Sequence, residues 1–151
     1  MKVFGIIAIS LVAVIVVALV VIGTFGPDTA VYPGRQLPKR FLSTIESLNL
    51  IAKDEKIRYF YSDGLIDIKT GMYFVTDRTL VLYSSEWAEP KIIIPLTNIT
   101  SMEVEYDDSF FGDSMVFVTT RSGEEFTFPV SSEKGLDKKF IQAIQEKASL
   151  D

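Results

Sequence analysis

The chain has 151 residues, with 15 Lys and Arg against 20 Asp and Glu for a net charge of −5, and it contains neither cysteine nor histidine. The acidic balance argues against nucleic acid and against a broad electrostatic footprint on anionic lipid, both of which need clustered Lys and Arg. Without His or Cys there is no Ser-His or Cys-His nucleophile pair and no zinc site of ordinary ligand type, so no catalytic residue, metal or cofactor is expected.

Val3 to Ile22 is an unbroken apolar run, interrupted only by Gly5 and Ser10. At about 1.5 Å per helical residue it reaches roughly 30 Å, the thickness of a bilayer's hydrocarbon core. It predicts a single transmembrane anchor over 3–22, retained because Asp28 spoils the first cleavage site of signal-peptide type, after Ala30. Arg35, Lys39 and Arg40 outweigh Lys2 across that anchor, which places the following domain in the cytoplasm by the positive-inside tendency. The Met-Lys opening also resembles an uncleaved export signal, which would put the domain outside.

Gly23, Gly26 and Pro27 end the apolar helix, and residues 23–36 read as a linker. Leu37, Phe41, Leu42, Ile45, Leu48 and Ile51 then fall near helical spacing, predicting an amphipathic helix over 37–52 with Pro38 in its first turn. It would pack on the next domain or lie on the bilayer as a basic collar.

From residue 53 the period switches to two. Ile57, Tyr59 and Tyr61 alternate with Lys56, Arg58 and Phe60 before the turn residues Ser62-Asp63-Gly64. Met72 to Val75 and Thr79 to Tyr83 flank Thr76-Asp77-Arg78 as a hairpin. Ile92 to Ile94 lies between Pro90 and Pro95, which limit its central pairing. Met102, Val104 and Tyr106 alternate with acids. Met115 to Thr119 and Phe126 to Val130 flank Arg121-Ser122-Gly123-Glu124, a second hairpin signal. Six or seven such strands read as a small antiparallel barrel or sandwich. Leu136, Phe140, Ile141, Ile144 and Ala148 close the chain with an amphipathic helix able to plug one end.

Three phrases carry a resemblance: Lys56-Ile57-Arg58-Tyr59-Phe60-Tyr61-Ser62-Asp63, Tyr73-Phe74-Val75-Thr76-Asp77-Arg78-Thr79-Leu80-Val81-Leu82-Tyr83, and Ile94-Pro95-Leu96-Thr97-Asn98-Ile99-Thr100-Ser101. Over about residues 50–148 the chain resembles the bacterial pleckstrin-homology-like (PH-like) domains, related in shape to GRAM domains. The resemblance implies a mainly β fold, a PH-like barrel of two roughly orthogonal antiparallel sheets with about seven strands, capped by a carboxy-terminal helix and filling residues 53–151. It also implies a binding or assembly scaffold rather than an enzyme. Phosphoinositide-gripping members use Lys and Arg around the first hairpin loop. Here that loop reads Ser62-Asp63-Gly64-Leu65-Ile66-Asp67-Ile68-Lys69, with two acids and one base, which builds no phosphate pocket.

Apolar residues in strand connectors remain as candidate partner contacts: Trp87, and Phe110 with Phe111 among Asp107, Asp108 and Asp113. The expected function is a membrane-anchored, noncatalytic module that binds a protein partner or associates with itself, its partners being the bilayer through Val3–Ile22 and an unknown protein. The alternatives are a lipid-surface sensor and an enzyme built on Ser, Lys or carboxylate groups.

Overall fold

The computed structural model describes residues 12–17, 20, 30–109, 112–148 and 150. Of the apolar run, residues 12–17 and 20 are helical, with Val12, Val14, Ile15, Val16, Val17 and Val20 exposed. Among the described residues no helix is long and apolar enough to cross a membrane, and most of Val3–Ile22 lies outside them.

The domain begins inside the expected linker. Tyr32–Pro33 forms a two-residue strand, β1, antiparallel to β2 (Ile57–Tyr61), and a 3-10 turn at Gly34–Gln36 follows it. Helix α1 covers Lys39–Ser47, shorter at both ends than the predicted 37–52. Pro38 stands just before it, its carbonyl accepting from the amides of Phe41 and Leu42. The helix stops where Asn49 turns to a positive φ of 52°, a conformation that Asn tolerates better than most side chains.

Strands β3 (Met72–Thr76), β4 (Thr79–Tyr83) and β5 (Lys91–Pro95) extend the first sheet in the order β1-β2-β3-β4-β5. The second sheet is β6 (Ile99–Glu105), β7 (Asp113–Thr120) and β8 (Glu125–Ser131), antiparallel throughout. Helix α2 (Leu136–Gln145) closes the chain. The predicted barrel is corrected here: β5 and β6 belong to different sheets and the sheets do not close on one another. Pro95 and the 3-10 turn at Leu96–Asn98 carry the chain between them, and proline offers no amide to continue a ladder. Among the described residues seven strands fall where the period-two segments lie, and β1 is an eighth, too short to show a period.

Packing explains why the first sheet does not alternate cleanly. One core lies between the two sheets and α2, with Tyr73, Leu82, Val116, Phe128 and Phe140 among its members. Another lies between the first sheet and α1, where Phe41 and Ile45 cover Phe60, Met72, Phe74 and Val81. Each face of the sheet carries a ring ladder: Tyr61, Tyr73, Phe128 and Phe140 at centroid spacings of 6.2, 5.9 and 6.2 Å, and Tyr32, Phe41, Phe60 and Phe74 at 5.9, 5.7 and 6.2 Å. With both faces covered, β3 is buried at every position. The second sheet keeps one open face, so β7 alternates residue by residue.

Candidate functional site

Two ends of the fold carry features beyond packing. At the start of β2, the turn at Gly34–Gln36, helix α1 and the segment Asn49–Lys56 enclose a cleft of about 690 Å³. Its apolar wall is Leu37, Leu42, Ile51 and Ile57, and its charged rim is Arg35, Lys53, Lys56, Glu46 and Glu55. This volume lies within the usual range for ligand pockets, roughly 300–1,000 Å³. A close backbone approach shapes one wall: a Cβ on Gly34 would stand 1.9 Å from the Ile57 carbonyl oxygen, so a side chain there would drive the turn off β2.

The rim charges are not equivalent. Glu55 is consumed by the fold: the hydroxyls of Thr76 and Thr79 turn to its Oε1, and the amide of Ala52 donates to its Oε2 at 3.0 Å. Desolvation pushes its carboxyl up, but these hydrogen bonds and the charge of Arg78 outweigh that and hold it below the usual range. Asp54, next in sequence, pairs with Arg78 at 3.0 Å. Arg35, Lys53 and Lys56 enter no ion pair among the described residues. Three available cations therefore face one available carboxylate, Glu46, in a protein whose net charge is −5. The arrangement suits a ligand with an apolar face and negative charge.

The opposite end gathers the β2–β3, β4–β5 and β6–β7 loops. Tyr73 donates to Asp63 Oδ2 at 3.2 Å, and Tyr61 donates to Asp113 Oδ2 at 2.8 Å, tying β7 to the first hairpin. Burial raises both phenols, and the adjoining carboxylates push the same way, so they serve as donors and not as bases. Asp63 is exposed by area, yet its carboxylate crowds Gly71, whose added Cβ would stand 1.7 Å from Oδ1. Desolvation, with the charges of Asp113 and Glu86 adding to it, raises its carboxyl above the usual range despite the bond from Tyr73. Asp107 is held below its usual range by its bonds with Ser109, whose amide donates to it at 2.6 Å, so this acid serves the turn it starts. Among the described residues no cluster of His, Cys, Asp and Glu could hold a metal ion.

Of the sequence-derived contacts, Trp87 is 36% exposed on the β4–β5 loop, at the end away from the cleft. Phe110 and Phe111 lie outside the described residues. The cleft itself had no sequence signature as a site. Its traces were Asn49 after the helical spacing and the charged segment Lys53-Asp54-Glu55-Lys56 before the first long strand.

No protein-family model matches the chain, and no curated protein matches it. Among solved structures, it is similar to a DUF1696 family protein with a pleckstrin-homology domain from Shewanella loihica PV-4, with 19% identity and a TM-score of 0.52 over 80% of this chain and 99% of that one. A pleckstrin-homology domain from Shewanella amazonensis SB2B shares 17% identity over 73% of this chain and 86% of that one, with a TM-score of 0.48. The fold is PH-like: mainly β, with two antiparallel sheets and a carboxy-terminal helix.

Proposed function

We propose that this chain is a membrane-anchored, noncatalytic interaction module whose cleft beside α1 binds an acidic, apolar-bearing segment of a protein partner. Val3–Ile22 holds it in the bilayer, and Arg35, Lys39 and Arg40 keep the domain on the cytoplasmic side. The observation that carries this reading is that Arg35, Lys53 and Lys56, which enter no ion pair among the described residues, line one cleft together with an aliphatic wall in an acidic protein. The PH-like fold supports the noncatalytic part, because it supplies a scaffold with no reaction of its own.

The test uses the full-length chain solubilised from membranes. Lys53→Glu combined with Lys56→Glu, which spares the cations beside the anchor, should release the proteins that co-purify with the native chain while leaving its thermal midpoint unchanged, since both residues are exposed. An unaltered set of co-purifying proteins would contradict the cleft as the site. Resistance to alkaline carbonate and a cytoplasmically active reporter after Asp151 are the expected results for anchor and side. Carbonate release would remove the anchor, and a reporter active only outside would reverse the side.

A further inference from the structure

Leu65 and Ile66, at the end opposite the cleft, are 69% and 79% exposed. Their loop is tightly built. Ser62 Oγ donates to the Gly71 carbonyl at 2.6 Å, the Lys69 amide to Asp67 Oδ1 at 3.0 Å, and Thr70 Oγ1 to the Asp67 carbonyl at 2.9 Å. The neighbouring β4–β5 loop is bonded to it, with Ser84 Oγ donating to the Thr70 carbonyl at 2.7 Å and the Ser85 amide to that of Lys69 at 2.8 Å. Ile68 of the same loop is turned into the core under α1. The loop thus buries one aliphatic and presents two outward, with Trp87 standing on the adjoining loop. A fixed loop loses little conformational freedom when its tip is covered.

The path of the chain says what covers it. Tyr32 pairs with Phe60 and Pro33 with Tyr59 in an antiparallel ladder. The chain therefore reaches β1 from the Tyr61–Ser62 end, beside this loop, where Ala30 and Val31 are already buried. Only residues 23–29 separate Ile22 from Ala30. Even fully extended, that path spans less than about 30 Å.

We infer that this end of the domain rests on the lipid bilayer, with Leu65 and Ile66 entering its interfacial region, Trp87 at headgroup level, and the cleft turned toward water. The inference rests on Val3–Ile22 being the anchor. Asp63, Asp67, Glu86 and Glu89 outnumber Lys69 around the tip, so the contact is apolar and needs no anionic lipid.

Two properties of the chain make the test direct: Trp87 is its one tryptophan, and it has no cysteine. Full-length protein is reconstituted in phosphatidylcholine vesicles with and without brominated acyl chains. Single variants Val14→Cys, Leu65→Cys, Ile66→Cys and Ser122→Cys carry an environment-sensitive fluorophore, with Ser122 on the far β7–β8 turn. Bromine should quench labels at positions 14, 65 and 66, and in unbrominated vesicles Trp87 should emit to the blue of a water-exposed indole, both independently of salt, while position 122 stays unquenched. Quenching at 14 with none at 65 and 66 overturns this inference and leaves the anchor standing. No quenching at 14 removes both, and equal quenching at 65 and 122 overturns the fixed orientation. Leu65→Asp with Ile66→Asp, which alters only exposed side chains, should return Trp87 emission to its water-exposed wavelength; unchanged emission would contradict the tip's role.

Discussion

Asp63 and Glu55 are two partly enclosed carboxylates that the fold treats in opposite ways. The folded state raises Asp63, chiefly by desolvation with the charges of Asp113 and Glu86 adding to it, so its stabilising contribution is present below the ordinary carboxyl pKa of about 3.9 and is lost as pH rises through the folded value. Asp63→Asn keeps an acceptor for Tyr73 and removes the charge. Its thermal midpoint at neutral pH should equal or exceed that of the native chain, with the difference closing in acid; a clear loss at neutral pH would show that the charge is needed. Glu55 is depressed, so its contribution is present above about 4.3 and is lost as pH falls through the folded value. Glu55→Gln should cost about 1–3 kcal/mol at neutral pH, the scale of hydrogen bonds to a charged acceptor, and the penalty should shrink on acidification. A pH-independent penalty in denaturant titrations would assign the loss to packing. Neither sign was legible in the sequence, where both are acids near turn residues and their hydroxyl partners lie 10–24 positions away.

At the scale of elements, the helices are secured by what they bury and little by ion pairs. Ile45 is fully buried beneath the helix, so Ile45→Ala should lower unfolding free energy by about 2–5 kcal/mol through lost contacts and an unfilled cavity. Arg58 and Glu146 link β2 to the end of α2 at 2.7 Å with side chains 32% and 43% exposed, so Arg58→Ala should cost under about 1 kcal/mol. Equal losses in the two variants would contradict this ranking. Spacing alone found both helices and the seven longer strands, because period-two and helical spacing survive wherever one face is wet, as in β6 and β7. It missed β1, whose two residues show no period. It also overran α1, since Leu37 and Ile51 keep helical spacing while lying on the cleft wall.

At the scale of the whole molecule, the PH-like phrases around Tyr73–Tyr83 and Ile94–Ser101 were readable because they encode hairpins and a proline-limited edge strand. The cleft was not readable, because its walls come from three segments that meet only when Gly34 closes on Ile57. The sheets remain open where Pro95 ends β5, so the domain is a two-sheet scaffold with a different surface at each end: a mixed apolar and cationic cleft at one, an aliphatic tip beside the buried Ala30 and Val31 at the other. Site-specific photo-crosslinking in living cells tests the cleft most directly, with a crosslinking amino acid placed at Leu42 on the cleft wall or at Ser122 on the β7–β8 turn, which does not line the cleft. Discrete protein adducts should form from position 42, be absent from position 122 and be abolished by Lys53→Glu with Lys56→Glu; an adduct of twice the chain's 16.9 kDa would identify a second copy as the partner. No protein adduct from position 42, or adducts indifferent to the charge reversal, would contradict the cleft as a protein-binding site.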